Sequence, residues 1–179
     1  MTILRINSAT MKIGVLSDTH GFLMSAVFSF FADCDEIWHS GDIGNEELLQ
    51  RLEAFKPVRA VYGNIDGREI RCRCPESMSF TAAGLRVCMM HIGGYPQHYD
   101  SKALQLIRQE KPQLFVCGHS HILRVMPDPQ HQLLYMNPGA AGYHGFHTFS
   151  TLLRFDIRNG HPDNLELFQL PRNEAAKMG

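Results

Sequence analysis

Polar side chains that can bind cations stand directly after five short apolar stretches of this sequence. The stretches are "KIGVLS", "EIWHSG", "VRAVYG", "LRVCMM" and "QLFVCG". The polar residues behind them are, in chain order, Asp18, His20, Asp42, Asn64, His91, His119 and His121. Carboxylates, amide oxygens and imidazoles suit divalent ions such as Mn, Fe and Zn, and a set without thiolates is unlike a structural zinc site.

The size and charge of this set indicate two metal ions rather than one. Seven side chains exceed the needs of a single ion, and two ions about 3.5–4 Å apart require a bridging group such as a carboxylate. Two aspartates against two divalent ions leave a net charge of about +2. That charge favours an anionic substrate, such as a phosphate ester, and a water nucleophile activated near neutral pH.

The elements that must position these residues alternate in the first half of the chain. The pattern predicts strand, helix, strand, helix and strand in turn, at 12–17, about 23–32, 36–40, 45–55 and 58–63. Asn45 can cap the second helix, and Glu46 and Glu47 suit its positive end. This β-α-β-α-β order argues for a parallel sheet, in which residues at the carboxyl ends of several strands converge on one crevice.

The second half of the chain changes character. A hairpin is predicted over 77–82 and 85–90, then a helix from Ser101 to about Gln109 and a buried strand at 113–118. Short strands are predicted near 122–127, 132–136, 150–157 and 164–169. The favoured architecture is α/β, a sandwich of two mixed β-sheets flanked by helices. The pattern alone leaves a single layered sheet open.

Composition narrows the class of protein. The chain has 179 residues, 44% of them hydrophobic, with a formal net charge of -1. These values fit one domain, predicted at 11–170, with a polar lead-in at 1–10 and a frayed tail at 171–179. There is no basic excess that points to nucleic acid, no apolar run long enough for a membrane span and no basic-then-apolar leader. A soluble cytoplasmic protein is expected, with its five cysteines as free thiols.

The motifs "DTH", "GD", "GN", the lone His91 and "GHSH", in this order, resemble the calcineurin-like metallophosphoesterase superfamily. Taken singly, D-x-H is weak evidence and G-H-x-H is stronger evidence. The order of all these motifs, each after a strand-like run, is specific to the family. The similarity spans Met11 to about Leu170. It is to the small single-domain branch that includes bacterial and archaeal phosphodiesterases and the retromer subunit Vps29. The resemblance implies a four-layer α/β/β/α sandwich.

The resemblance also implies roles for the site residues. One divalent ion would be held by Asp18, His20 and His121. The other would be held by Asn64, His91 and His119, with Asp42 bridging the two. A hydroxide between the ions would attack a small phosphate ester in line, and a phosphodiesterase is favoured over a phosphomonoesterase. Mn²⁺ is the expected ion, with Fe, Ni, Zn or Mg as alternatives.

Two departures from the family pattern affect these expectations. Many members carry a histidine after the asparagine, placed to protonate the leaving group, but here Ile65 follows Asn64. Isoleucine cannot donate a proton, so leaving groups of high pKa should react poorly, and the role of Asp66 stays open. The stretch "NPGA" places Ala140 where the small branch often has serine, with a minor effect expected because Asn, Pro and Gly form the turn.

Several polar residues and one alternative function stay open at this point. His39 is predicted to be structural rather than part of the shell around the metals, and Arg68 and Arg71 could meet either a phosphate or solvent. His98, Tyr99, His144 and His147 lie on loops that could line the cleft, although a general surface position is favoured for these histidines. His131 and His161 are expected at the surface. The alternative function is a Vps29-like interaction scaffold with a vestigial metal site, which the loss of a ligand position would favour. Homo-oligomerisation is left open.

Overall fold

The computed structural model describes residues 10–179, and the rest of the predicted lead-in lies outside these residues. The strands are β1 Met11–Leu16, β2 Glu36–His39, β3 Val58–Ala60, β4 Ser77–Ala82, β5 Leu85–Met90, β6 Gly94–Tyr95, β7 His98–Tyr99, β8 Leu114–Val116, β9 Leu123–Asp128, β10 Leu133–Pro138, β11 Phe149–Arg158 and β12 His161–Pro171. The helices are α1 Ala26–Phe30, α2 Glu46–Phe55, α3 Arg68–Arg73, α4 Ser101–Glu110 and α5 Arg172–Ala175.

Ten of these strands form two mixed sheets of five strands each. The first sheet has the order β12-β11-β1-β2-β3, and the second has the order β4-β5-β8-β10-β9. In each sheet three strands run parallel, β1 to β3 in the first and β5, β8 and β10 in the second, and the remaining strands are antiparallel to their neighbours. This mixture matches the alternation of strands and helices in the first half and the hairpins in the second.

The hydrophobic residues divide into three layers of packing around the two sheets. The central layer joins them face to face and includes Ile13, Trp38, Val87, Leu114 and Phe155, all essentially inaccessible to solvent. The outer face of the first sheet packs against α1 and α2, and the outer face of the second packs against α4. The four-layer α/β/β/α sandwich is therefore confirmed, and a single layered sheet is wrong.

Strand alternation explains how one sequence run serves two layers. In β1, Ile13 and Val15 enter the central layer, whereas Leu16 belongs to the layer under the helices. Gly14 faces the helices too, and a Cβ there would lie 2.8 Å from the ring of Phe31. Side chains of a strand point alternately to its two faces, so a substitution at Gly14 would push α1 off the sheet.

The strand register brings the loops of interest to one edge of the sandwich. Leu16 at the end of β1 pairs with His39 at the end of β2, and His39 pairs with Ala60 at the end of β3. In the second sheet Met89 pairs with Val116, so β5 and β8 also end together. Five loops that carry the predicted ligands therefore leave the sheets at the same edge, as the parallel order predicted.

Some predicted boundaries differ from the structure. The helix expected at about 23–32 is confined to Ala26–Phe30, and the strand expected at 58–63 ends at Ala60. Helix α3 was not predicted, because its sequence "REIRCR" buries only Ile70 in the helix itself and carries no apolar stripe. Helix α2 forms as predicted, with the Asn45 side chain accepting a hydrogen bond from the Leu48 N–H at 2.8 Å.

The sequence suggested a frayed C-terminal tail, but this segment is folded against the rest of the protein. Strand β12 extends to Pro171 and α5 follows, with Ala175 completely buried in the layer beneath α1 and α2. The Met178 carbonyl accepts a hydrogen bond from the Ser25 N–H at 2.8 Å. The short polar sequence does not announce this docking, because only Ala175 is buried and the other contacts come from Met178, the Arg172 side chain and backbone groups.

The remaining general predictions concern thiols and membranes. All five cysteines are free thiols, as predicted, and burial raises the pKa of Cys117 to about 12. Within residues 10–179, no helix combines the length and apolar character that crossing a membrane requires.

Candidate metal centre

Five of the predicted ligands occupy left-handed backbone conformations. The φ angles are +54° at Asp18, +49° at His20, +54° at Asp42, +69° at His119 and +57° at His121. A non-glycine residue in this region costs on the order of 1–3 kcal/mol and persists where the surroundings impose it. Here five such residues lie at one edge of the sandwich, which marks a site built for something other than stability.

Backbone hydrogen bonds between the first two loops hold this strained geometry. The Asp18 N–H donates to the Gly41 carbonyl at 2.9 Å, and the His20 N–H donates to the Asp42 carbonyl at 2.9 Å. At Gly41, φ is +101° and a Cβ would lie 2.5 Å from Nδ1 of His91. The "DTH" and "GD" loops thus form one paired unit whose close approach to His91 requires glycine.

The first group of candidate ligands is Asp18, His20 and His121. Nε2 of His121 lies 3.2 Å from Oδ1 of Asp18 and 3.3 Å from Nε2 of His20. One ligand atom of each residue lies within 4.8 Å of the others, a spacing that one cation can span. The carboxylate of Asp18 raises the pKa of His121 against the opposing effect of burial, whereas burial lowers the pKa of His20 more than Asp42 and Asp18 raise it.

The second group is Asp18, Asp42 and His91, with Asn64 beside it. Nε2 of His91 lies 3.2 Å from Oδ1 of Asp42, 3.1 Å from Oδ1 of Asn64 and 3.9 Å from Oδ1 of Asp18. Nδ1 of His91 is 2.8 Å from the Ser40 carbonyl, which can only accept, so Nδ1 carries a proton. In neutral His91 the lone pair of Nε2 therefore faces three oxygen acceptors, an arrangement that calls for a cation.

The pKa values of the second group follow from the same arrangement. Burial lowers the pKa of His91, but the hydrogen bond to Asp42, the charges of Asp18 and Asp42 and the Ser40 carbonyl together raise it above its ordinary value. Burial raises the pKa of Asp42, but His91 and the Ile65 N–H outweigh that effect and hold it below its ordinary value. Both shifts describe a pocket that stabilises positive charge at Nε2 of His91.

One carboxylate oxygen of Asp18 belongs to both groups. Asp18 is completely buried, and its Oδ2 accepts the His119 N–H at 3.1 Å. Its Oδ1 is buried and has no hydrogen-bond donor among the described residues. A buried carboxylate oxygen without a partner is costly, and a cation satisfies it directly. Donor chemistry and position at Asp18 therefore fit a divalent metal centre.

The remaining predicted ligands lie at the rim of this cluster. Asn64 and His119 are both exposed, and the His119 ring packs edge-on against His91 with ring centroids 5.3 Å apart. Ile65 is 46% exposed, and its N–H holds Oδ1 of Asp42 at 3.1 Å. The structure thus brings all seven predicted side chains to one edge, with five packed together and two at the opening.

His39 supports the ligand loops from below. Its Nδ1 accepts the Gly41 N–H at 3.2 Å, and its Nε2 donates to the Thr19 hydroxyl at 2.9 Å. Complete burial lowers the pKa of His39 to about 4, which keeps the ring neutral. The structural role that the sequence favoured matches these contacts.

Asp66, whose role was open, fastens two ligand loops to each other. Its buried carboxylate accepts the N–H groups of Ile43, Gly44 and Gly63 at 3.1, 2.7 and 2.8 Å. Asn137 holds a third loop, donating from Nδ2 to the Gly118 carbonyl at 2.8 Å. The sequence does not mark these partners of Asp66, because two of the three N–H groups belong to the separate loop after β2.

Two surface predictions for histidines are wrong. His147 is half-buried, with Nδ1 at 3.3 Å from Nδ1 of His121, and His131 is half-buried with Nδ1 at 2.7 Å from Asp128. His98, His144 and His161 are exposed as predicted. The contact of His147 joins two separate loops, which a loop sequence does not reveal, whereas His131 contacts a residue of its own turn.

A cavity of about 270 Å³ opens beside the second group. The cavity is lined by two candidate ligands, Asn64 and His91, and by apolar, aromatic and charged side chains. These are Tyr62, Arg71, Glu76, Met90, Ile92, Asp100 and Lys102. The guanidinium of Arg71 lies 4.3 Å above the Tyr62 ring and donates to the carbonyl oxygens of Gly63 and Asp66. Arg71 therefore holds the asparagine loop, with the cavity alongside.

Solved structures show which proteins share this fold. An archaeal phosphodiesterase superposes with a TM-score of 0.73 at 21% identity, covering 89% of this chain and 100% of that one. Vacuolar protein sorting 29 from Cryptosporidium parvum gives a TM-score of 0.69 at 17% identity, covering 90% of this chain and 98% of that one.

Sequence comparison gives the family. The chain is 33% identical over 138 residues to a probable metallophosphoesterase of Methanothermobacter thermautotrophicus, which covers 73% of this chain and 77% of that protein. Residues 11–160 match the model of the calcineurin-like phosphoesterase superfamily domain. Because that match spans most of the chain and includes all seven candidate ligands, the chain belongs to the calcineurin-like phosphoesterase superfamily.

Proposed function

We propose that this chain is a dinuclear metal-dependent phosphodiesterase. The observation that carries the proposal is the buried Oδ1 of Asp18, which has no hydrogen-bond donor within residues 10–179 and lies between two groups of nitrogen and oxygen ligands. Two electron-rich groups that share one carboxylate fit a pair of divalent ions better than one ion. Mn²⁺ is the favoured ion, because carboxylate, amide and imidazole ligands suit it.

Each residue has a distinct task in this proposal. Asp18, His20 and His121 would hold one ion, and Asn64, His91 and His119 would hold the other. Asp42 would bridge them, since its Oδ1 lies 3.2 Å from Nε2 of His91 and its Oδ2 lies 3.7 Å from Nε2 of His20. When bound, the ions supply positive charge to the phosphoryl oxygens and lower the pKa of a water that serves as nucleophile. The Ser40 carbonyl keeps the Nε2 lone pair of His91 directed at its ion.

The preference for diesters rests on what stands beside the ions. At the position after Asn64, Ile65 has no proton to give to a leaving oxygen, so the reaction depends on leaving groups of low pKa. The cavity beside Asn64 and His91 offers space for an organic group of the ester against Tyr62 and Met90. A phosphodiester has a second organic group, besides the leaving group, that can occupy this space. A phosphomonoester has only the leaving group.

Turnover of two chromogenic esters tests the proposal. With Mn²⁺ present, the protein should hydrolyse bis-p-nitrophenyl phosphate faster than p-nitrophenyl phosphate. Asp42→Asn should reduce turnover by more than about 100-fold, since even residues that only orient metal ligands contribute about 10- to 100-fold. Asp163→Asn, at a carboxylate that is 55% exposed, is the matched control and should keep full activity.

Two results would count against the proposal. No hydrolysis of either ester by protein with bound metal would reject an esterase. A strong preference for unactivated monoesters would leave an esterase but reject the diester assignment.

A second candidate is a protein-interaction scaffold, as the Vps29-like fold suggests. It is favoured by exposed apolar side chains on the loops around His121, namely Ile122, Tyr143 and Phe146, and by Phe149 at the start of β11. In that case Asp42→Asn would leave partner binding intact and Phe146→Ser would weaken it. Metal-dependent turnover that Asp42→Asn abolishes would favour the esterase.

A further inference from the structure

The loop between β10 and β11 carries His147, which contacts the candidate metal ligand His121. Nδ1 of His147 lies 3.3 Å from Nδ1 of His121, on the side of the His121 ring away from Asp18. Nε2 of His147 lies 3.0 Å from the Gly142 carbonyl. The His147 ring therefore bridges a backbone acceptor and the outer nitrogen of His121.

Counting protons along this chain of contacts fixes the tautomer of each neutral ring. The Gly142 carbonyl can only accept, so Nε2 of His147 carries the proton and its Nδ1 is bare. A bare Nδ1 can only accept, so Nδ1 of His121 must donate to it. Neutral His121 then has its lone pair on Nε2, the nitrogen that faces Asp18 and His20.

The loop that carries His147 is held at several points. Its first residues pair with the aspartate loop, since the Ala141 N–H donates to the Ser17 carbonyl at 2.8 Å and the Gly142 N–H donates to the Asp18 carbonyl at 3.0 Å. From the C-terminal side, the Arg172 side chain donates to the Gly145 carbonyl. The Arg172 N–H also donates to the Thr148 carbonyl at 3.0 Å.

The local sequence leaves room for the histidine pair. Gly145 has φ of +120°, and a Cβ there would lie 2.5 Å from Nδ1 of His121 and 3.2 Å from Nδ1 of His147. Any other residue at this position would therefore collide with the donor that His121 directs at His147. Glycine conformation, loop anchoring and ring contacts all serve the same pairing.

We infer that His147 is a positioning residue that fixes the tautomer and orientation of His121, so that Nε2 is directed at the ion held with Asp18 and His20. The inference rests on the proposed function only in that an ion binds there. Partners of this kind orient metal ligands, and their loss commonly costs about 10- to 100-fold in metal affinity. The C-terminal helix α5 contributes through Arg172, which connects an otherwise remote segment to the metal centre.

Calorimetric titration of the metal-depleted protein with Mn²⁺ tests the inference. His147→Leu keeps a comparable volume without an acceptor and should weaken one of two binding steps by about 10- to 100-fold. His147→Asn places an amide oxygen near the position of Nδ1 and should recover most of that loss. His161→Leu makes the same change at an exposed histidine and should leave both steps unchanged.

The pattern across the two steps separates positioning from general damage. Loss confined to one step, with recovery in His147→Asn, supports the inference. Equal weakening of both steps, or unchanged binding in a folded His147→Leu protein, would overturn it.

A second measurement does not depend on metal binding at all. In metal-free protein at alkaline pH, ¹⁵N spectra of the histidine rings should show His121 with its proton on Nδ1, and His147→Leu should shift it to a mixture of tautomers. A proton on Nε2 of His121 in the unaltered protein would contradict the inference, whereas failure to bind Mn²⁺ with this tautomer intact would contradict only the proposed function.

Discussion

Replacing Asp66 should loosen two of the loops that carry the candidate ligands. Its carboxylate accepts three backbone N–H groups, from Ile43 and Gly63 through Oδ2 and from Gly44 through Oδ1. Ile43 follows Asp42 directly, and Gly63 precedes the asparagine loop. Asp66→Ala removes both oxygens that accept these three hydrogen bonds and should therefore lower both the free energy of unfolding and the affinity for metal.

The magnitude follows from which donors can reach water. Ile43 and Gly63 are buried, and each buried donor left without an acceptor costs about 1–3 kcal/mol. Gly44 is exposed and its N–H can be solvated. We expect Asp66→Ala to cost about 3–5 kcal/mol, near the upper range for single substitutions. Asp66→Asn can keep its amide oxygen at the Oδ2 position and should cost about 1–2 kcal/mol.

Urea unfolding of the metal-free proteins, followed by circular dichroism, measures the loss of unfolding free energy in each of the two variants. Thermal unfolding of the same proteins measures the change in Tm. For a domain of this size, Asp66→Ala should lower Tm by about 6–20 °C. Asp163→Asn, at an exposed carboxylate, should change the free energy of unfolding by less than about 0.5 kcal/mol. A loss below about 1 kcal/mol in Asp66→Ala would refute the role given to the three hydrogen bonds.

Two further predictions concern a buried acid and the cavity. Burial raises the pKa of Asp128, but hydrogen bonds from His131 and Tyr99 outweigh that effect and hold the pKa below its ordinary value of 3.8. The ionised carboxylate therefore stabilises the fold above about pH 3.8, and this stabilisation is lost as the pH falls further. Asp128→Asn should thus cost about 1–3 kcal/mol in urea unfolding at neutral pH and less at about pH 3, and a constant difference would contradict this. Ile92→Ala removes an apolar side chain that lines the cavity. Because a truncated apolar contact costs roughly 1 kcal/mol, KM for bis-p-nitrophenyl phosphate should rise by about 3- to 10-fold with kcat little changed. An unchanged KM would place the ester elsewhere.

Features governed by local periodicity were predictable from the sequence. The hairpin at 77–82 and 85–90 has the bounds of β4 and β5, and the Asn45 cap forms as expected. The convergence of five loops also followed from sequence, because parallel strands end at a common edge. The neighbourhood of the candidate ligands therefore followed from the strand pattern, whereas the four-layer sandwich followed from the resemblance to the family.

Features set by single tertiary contacts were not predictable. The docking of the C-terminal segment depends on Ala175, Met178, the Arg172 side chain and backbone groups, which no apolar stripe announces. His147 and Asp66 have partners far away in sequence, so loop composition alone describes them as surface or undefined residues. The sequence could name the candidate ligands, but not Asp66 and His147, which hold or contact them.

A crystal structure of the protein soaked in Mn²⁺, with anomalous diffraction recorded at the manganese absorption edge, tests the central claim most directly. We predict two anomalous peaks about 3.5–4 Å apart, one in contact with Nε2 of His121 and the other with Nε2 of His91, with the Asp42 carboxylate between them. A single peak, or peaks that touch neither histidine, would contradict a dinuclear centre built from these side chains.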